Sequence, residues 1–220
     1  MTVVDLTSGA NPELPFLRDT RMSYDTVAAD YAELLADELS AKPLDRALLA
    51  TFAELVAGGP VADLGCGPGR ITAFLKSLGL DVFGVDLSPG MLAEARRRHP
   101  ELRFEEGSLL ALEAADAALV GIVAWYSIIH TPLELLPQVF AEFHRVLAVD
   151  GQLLLAFQVG DETLRLEYAY GHEVSLDAYR LPPDGIAELL GEADFTVHTR
   201  VLREPGPGEK TAQAYLMARK

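Results

Sequence analysis

Two rhythms of apolar and polar positions divide the chain. Between residues 60 and 159, short and almost unbroken apolar runs alternate with stretches where apolar residues recur every three or four positions. "PVADLG" (60–65), "DVFGVDL" (81–87), "LRFEEG" (102–107), "ALVGIVAWY" (118–126) and "GQLLLAFQV" (151–159) read as strands. "RITAFLKSLG" (70–79), "SPGMLAEARRR" (88–98) and "PLELLPQVFAEFHRVLA" (132–148) read as helices. Ser88 is placed to cap its helix with Pro89 at the first helical position. Pro137 either kinks its helix or begins the main body. Strands with little in–out alternation, separated by helices, predict a parallel sheet covered on both faces.

The flanks follow other patterns. "YDTVAADYAELLADEL" (24–39) predicts a helix that packs on or over the sheet, within an N-terminal helical cover spanning 1–45. "PPDGIAELLGEAD" (182–194) is a further helix, and "FTVHTRVLRE" (195–204) and "TAQAYLMARK" (211–220) alternate as strands. The tight "PGPGE" between them implies a hairpin, so the final strand runs antiparallel. The polar, aromatic stretch "GDETLRLEYAYGHEVSLDAYR" (160–180) is long enough for a lid over a site or a solvated hairpin, with Arg165, Tyr168, Tyr170 and His172 the residues of interest. Loose chain is expected in the first dozen or so residues, with Gly9, Asn11, Pro12 and Pro15, and in the turn 203–210.

Composition narrows the class. The 220 residues suffice for one domain, 1–220, with a large core, half of them hydrophobic. A net charge of −15 opposes a broad nucleic-acid surface. The single basic concentration, "ARRRHPELR" (95–103), reads as the solvated end of a helix. Arg203 reads as a surface ion pair with Glu204 or Glu209. One cysteine, Cys66, excludes an internal disulfide and fits a reducing compartment. No apolar run approaches a membrane span, and the N-terminus lacks a secretory pattern, so a cytoplasmic protein without membrane partners is expected. No Cys/His cluster has metal-ligand spacing.

"VADLGCGPGR" (61–70) raises the chemical question. Its glycines, Gly65, Gly67 and Gly69, follow a strand and permit a ligand to approach the backbone. Asp86 ends the next strand, where a carboxylate accepts both hydroxyls of a ribose. The spacing G-C-G-P-G departs from the dinucleotide fingerprint G-x-G-x-x-G. Asp63, two positions before the first glycine, opposes a pyrophosphate and suits a cationic amino group.

In "VADLGCGPGR", "VFGVDLSPGML", "FEEGSLLAL", "VAWYSIIHTP" and "VFAEFHRVLAVDGQLLLAF" the chain resembles the class I S-adenosylmethionine-dependent methyltransferases. The resemblance implies an α/β, Rossmann-like doubly wound seven-stranded sheet in the order 3-2-1-4-5-7-6, with strand 7 antiparallel. It implies S-adenosylmethionine as cofactor, S-adenosylhomocysteine as product and a small-molecule methyl acceptor. By position, Asp63, Gly65, Cys66 and Gly67 would line the methionine moiety and Asp86 would hold the ribose. Leu87 and Met91 would pack on the adenine. Ser108 stands where such families usually place an aspartate, so it or the Leu109 amide would read the adenine. Tyr24 lies in the helix expected to cover the cofactor, where an aromatic ring attracts a sulfonium.

Methyl transfer is an in-line displacement that needs alignment and, for a protic acceptor, a base. His130, at the rim of the fourth strand, is the candidate base, with Tyr126 to orient the acceptor. The aromatic tetrapeptide of amino-methylating nucleic-acid enzymes is absent after that strand, so the acceptor is expected to be a small molecule rather than DNA or RNA. Two other readings stand beside this one: a non-catalytic S-adenosylmethionine-binding protein and a nucleotide-linked oxidoreductase.

Overall fold

A computed structural model describes residues 13–56 and 58–220. Residues 1–12, most of the segment expected to be loose, lie outside the described residues. Pro15, grouped with that segment by sequence, instead opens the first helix, α1 (Pro15–Leu34). A ring with fixed φ and no N–H suits the first helical position, where the N–H lacks a partner anyway. The helix therefore starts nine residues before the stretch that predicts it. A short 3-10 turn (Glu38–Ala41) leads into α2 (Pro43–Leu55), a helix that the sequence reading does not contain.

The rest of the chain follows the expected alternation: β1 (Pro60–Leu64), α3 (Arg70–Ser77), β2 (Asp81–Asp86), α4 (Pro89–Arg98), β3 (Phe104–Glu106), β4 (Leu119–Trp125), α5 (Leu136–Val146) and β5 (Leu147–Gln158). The Ser88 hydroxyl accepts the Met91 N–H at 3.0 Å and so caps α4, a contact worth about 1 kcal/mol. Pro137 sits in the first turn of α5 and begins its main body. Next come β6 (Thr163–Ala169), β7 (His172–Tyr179), α6 (Pro183–Glu192), β8 (Thr196–Arg203) and β9 (Gln213–Arg219).

Seven strands form one sheet in the order β3-β2-β1-β4-β5-β9-β8, and β6 and β7 form a separate two-stranded sheet. Leaving out that separate hairpin, the order is the expected 3-2-1-4-5-7-6. β1 to β5 pair in parallel, while β9 is antiparallel to both β5 and β8.

The missing in–out alternation has a direct cause. Along β1, β4, β5 and β9 every second residue enters the core on one face. Ala62, Leu64, Ile122, Ala124, Leu153, Leu155 and Leu216 pack with Phe140 and Phe143 of α5 and Ile186 and Leu190 of α6. The intervening Val61, Val123, Leu154, Tyr215 and Met217 pack against Leu48, Leu49 and Phe52 of α2 and Ile71 and Leu75 of α3. Both faces are covered, so both parities are apolar.

The 160–180 segment is the antiparallel β6–β7 hairpin, closed by Tyr170 and Gly171 at φ 51° and 87°. Paired positive φ values match the twist of a two-residue hairpin turn. The hairpin rests on α1: Ser175 N–H donates to Ser23 Oγ at 3.1 Å, His172 Nε2 lies 2.6 Å from Asp30 Oδ2, and the Tyr170 and Tyr31 ring centroids are 4.9 Å apart. Among the described residues, no helix is long and apolar enough to cross a membrane.

Candidate functional site

Strand order reverses between β1 and β4, and the turn after β1 opens at that point. The N–H groups of Gly65 and Cys66 both donate to the Val85 carbonyl, at 2.8 and 3.0 Å, pinning the turn to β2. Gly65 has φ +74°, and a Cβ there would lie 2.2 Å from Ser127 Cβ. Gly67 has φ +53°, but a Cβ would meet nothing closer than Tyr31 Cε1 at 3.9 Å. The first glycine is demanded by the fold. The second leaves the backbone bare toward open space.

Asp86 ends β2 beside that bare backbone. Its Oδ2 accepts the Gly67 N–H at 2.7 Å and its Oδ1 the Ser88 N–H at 2.9 Å. A carboxylate has about four lone-pair sites, so two remain for a ligand. Burial pushes its pKa up to about 6, against the lowering effect of the Ser88 and Gly67 N–H groups.

A cleft with about 770 Å3 of space, including its open mouth, spreads from the glycine turn. Its wall contains Tyr24, Gly65, Gly67, Asp86, Leu87, Met91, Ser108, Leu109, Tyr126 and His130 among the residues singled out by sequence. It also contains Phe16, Leu17 and Thr20 from the first turns of α1, and Trp125, Ser127 and Thr131 around the end of β4. The three α1 residues were hidden by the late helix start in the sequence reading. The signal available was Pro15 before an amphipathic run.

Two expected residues stand elsewhere. Cys66 is buried against Leu92, Ala95 and Phe104, so its side chain fills the space between sheet and α4 rather than lining the cleft. Burial raises its thiol well above the ordinary range. Asp63 is fully buried behind the turn and also outside the cleft wall. Thr72 Oγ1 donates to its Oδ2 at 2.6 Å, while Oδ1 is buried with no hydrogen-bond partner among the described residues. Burial pushes the Asp63 pKa up to about 7.

Ser108 Oγ accepts the Leu110 N–H at 3.3 Å, so the serine shapes its own turn while facing the cleft. Tyr126 holds φ 57°, left-handed for a non-glycine residue, at the end of β4. Its hydroxyl lies 3.5 Å from Tyr215 Oη, which donates to the buried Asp45 at 2.9 Å. The phenol is thus directed under the cleft floor, toward a polar group of the core.

Both ring nitrogens of His130 are engaged. Its Nδ1 is 2.8 Å from the Asp177 carbonyl oxygen and its Nε2 is 2.7 Å from Tyr24 Oη. Burial lowers its pKa, against the opposing pull of Asp177. Of the hairpin residues singled out by sequence, Arg165 pairs with Asp177, His172 with Asp30 and Tyr170 with Tyr31, while Tyr168 is exposed. None of them lines the cleft. Arg203 makes its expected ion pair with Glu209, at 2.6 Å. Among the described residues, no group of three His, Cys, Asp or Glu is arranged to hold a metal ion.

Residues 61–151 match a family model described as a methyltransferase domain. The chain is 45% identical over 87 residues to a trans-aconitate 2-methyltransferase of Methylobacterium nodulans, covering 39% of this chain and 32% of that protein. It is 34% identical over 134 residues to the Escherichia coli protein of the same name, covering 60% and 50%. The chain thus spans half or less of the length of these curated relatives. The crystal structure of Burkholderia thailandensis 1,6-didemethyltoxoflavin-N1-methyltransferase aligns over 100% of this chain and 98% of its own, with TM-score 0.74 and 23% identity. That protein was crystallised with 1,6-didemethyltoxoflavin and S-adenosylhomocysteine. Residues 61–151 of the present chain are thus similar to a methyltransferase domain, and the chain as a whole carries the Rossmann-like fold of that solved methyltransferase.

Proposed function

We propose that the protein is a methyltransferase that moves a methyl group from S-adenosylmethionine to a small-molecule acceptor. The observation that carries this reading is Asp86, a buried carboxylate with two unused acceptor sites beside the bare backbone of Gly67 at the cleft wall. A ribose diol satisfies those sites. The buried, unpartnered Oδ1 of Asp63 is the matching feature at the methionine end, where an α-ammonium would complete it. The donor set fits the ligand.

In this reading Asp86 holds the ribose, and Gly65, Gly67 and Asp63 serve the amino-acid end. Leu87 and Met91 would pack on the adenine, with Ser108 or the Leu109 amide to read it. Cys66 acts only by packing. The sulfonium supplies an activated methyl group when the ligand is bound. The chain's own work is to align the acceptor with that methyl group and to keep water out. His130, hydrogen-bonded to Tyr24, serves the removal of the acceptor proton, and Tyr126, whose hydroxyl is turned toward Tyr215, closes the floor rather than orienting the acceptor.

The N-terminal cover acts through α1, which contributes Phe16, Leu17, Thr20, Tyr24 and Tyr31 to the wall. The hairpin within 160–181 acts on the acceptor end indirectly, by bracing α1 and by holding His130 through Asp177. The charge of −15 and the lone cysteine favour a cytoplasmic protein that does not bind nucleic acid. The curated relatives are named for trans-aconitate, a tricarboxylate, which makes that compound an acceptor to test. Thermal shift and calorimetry with S-adenosylhomocysteine and with NAD check the cofactor. Stabilisation by the former is expected, and a response to NAD alone overturns the reading in favour of an oxidoreductase.

A further inference from the structure

The acceptor end of the cleft is unusual in what its wall lacks. Among the described residues it contains no lysine or arginine, and residues 1–12 carry neither. The cations nearest in sequence are already matched: Arg18 to Asp19 at 3.2 Å, Arg21 to Glu13 at 2.9 Å and Arg70 to Glu38 at 2.9 Å. Among the described residues the one charged group in the wall is Asp86; around it stand Phe16, Leu17, Trp125 and tyrosine rings. A di- or tricarboxylate entering this space would lose its water and meet no cationic side chain of the described wall, with only the single sulfonium of the cofactor to set against its several charges. The wall offers such an acceptor little compensation.

The polar equipment that remains is a hydrogen-bonded pair. A carbonyl oxygen only accepts, so the contact with Asp177 places the His130 proton on Nδ1. The neutral ring then presents the Nε2 lone pair, and Tyr24 Oη donates to it at 2.7 Å. Tyr24 oxygen keeps its own lone pairs for another donor. Burial lowers the His130 pKa and raises that of Tyr24, which keeps both neutral at rest.

Resting on the cofactor reading above, we propose that the acceptor is an uncharged small molecule bearing an O–H or N–H, and that Tyr24, backed by His130, receives its proton. The balance closes within the site. The acceptor heteroatom forms its bond to the methyl carbon as the carbon–sulfur bond breaks, and that electron pair returns to sulfur. The acceptor proton passes to Tyr24 oxygen while the Tyr24 proton passes to His130 Nε2. The resulting imidazolium still donates from Nδ1 to Asp177. Tyr24 is the catalytic residue of the pair, and His130 is its positioning residue.

The test uses the whole protein and methyl-labelled S-adenosylmethionine. A small-metabolite extract is split at pH 7 into anionic and uncharged pools, with trans-aconitate as a separate defined probe. Label is expected in a product of the uncharged pool and not in trans-aconitate. Label confined to the anionic pool or to trans-aconitate overturns the proposal, as does label in neither while S-adenosylhomocysteine still stabilises the fold. No stabilisation by S-adenosylhomocysteine or S-adenosylmethionine instead marks failure of the cofactor reading.

Two variants then separate roles. Tyr24→Phe should retain the S-adenosylhomocysteine thermal shift and acceptor KM within about twofold, yet lower kcat at least tenfold. His130→Gln should lower kcat similarly and shift the Tyr24 ring-carbon resonances in NMR spectra of labelled protein. Unchanged kcat in Tyr24→Phe overturns the proton route.

Discussion

Tyr24 Oη and His130 Nε2 are 2.7 Å apart although 106 positions separate the two residues in the chain. The contact exists because two unrelated pieces of structure converge. The hairpin presses α1 down over the tips of the strands, and the same hairpin presents the Asp177 carbonyl that turns the imidazole. The aromatic ring of Tyr24 and the proton-accepting edge of His130 are thus fixed by one element that lines no part of the cleft.

Removing the Asp86 carboxylate leaves the Gly67 and Ser88 N–H groups, and both hydroxyls of the proposed ribose, without their acceptor. Asp86→Ala should weaken S-adenosylhomocysteine binding by about 2 kcal/mol, close to thirtyfold. Calorimetry checks this, and undiminished affinity would remove the residue from the ribose site.

Gly65 and Gly67 should respond differently to the same added methyl group. Gly65→Ala drives a Cβ into Ser127 at 2.2 Å in a left-handed conformation and should cost about 3 kcal/mol of stability. Gly67→Ala has room and should cost about 1 kcal/mol, but its methyl group intrudes where the ligand approaches the backbone. Urea melts should separate the two in stability, and calorimetry should find Gly67→Ala folded and deficient in binding. Equal stability losses would contradict the distinction.

Ligand binding should expel protons. In the free protein Asp63 and Asp86 titrate at about 7 and about 6, above their ordinary 3.8, because burial disfavours the charged forms. An ammonium and a ribose diol favour those charged forms, so affinity for S-adenosylhomocysteine should fall as pH drops from about 8 to 5. The ligand-free fold has the opposite sign. A carboxyl whose folded pKa is raised contributes stability that is present near pH 4 and lost as pH rises through about 7. Calorimetry in two buffers of different ionisation enthalpy measures the proton count; a value of zero at pH 6 contradicts the assignment.

Asp25 fastens α1 to the start of α4. Its Oδ1 accepts the Ser88 hydroxyl at 2.6 Å and the Gly90 N–H at 2.8 Å. Asp25→Ala should lower stability by about 1–2 kcal/mol. It should also speed proteolytic cleavage within α1 while the sheet core stays resistant, which limited proteolysis followed by mass spectrometry detects. Cleavage at the wild-type rate would show that the fastening is redundant.

The sheet was legible because its strands are buried on both faces, which leaves uninterrupted apolar runs such as Leu153–Phe157 with their terminal turns. The cap at Ser88 and the antiparallel β9 were legible for equally local reasons, a hydroxyl before a proline and a short Gly/Pro turn. Helix α2 was missed although Leu44, Leu48, Leu49 and Phe52 mark one face of a helix after Pro43. The start of α1 was missed because Pro15 resembles a loop residue as readily as a helix opener. Side-chain direction inside the glycine turn was not legible at all. Cys66 and Gly67 are adjacent, and only the folded backbone decides that Cys66 goes into the core and Gly67 faces the cleft. The meeting of Tyr24 with His130 depends on a hairpin that local sequence does not connect to either residue.

Helix α1 grips the molecule through Ser23, Val27, Ala28 and Ala32, whereas α5 is sunk by Leu136, Val139, Phe140, Phe143 and Val146. The smaller anchors of α1 bury less apolar surface than those of α5, so this roof is held more lightly than α5 by its apolar contacts. Under the proposed function, lifting that roof would open the cleft for spent cofactor and product while leaving the sheet untouched.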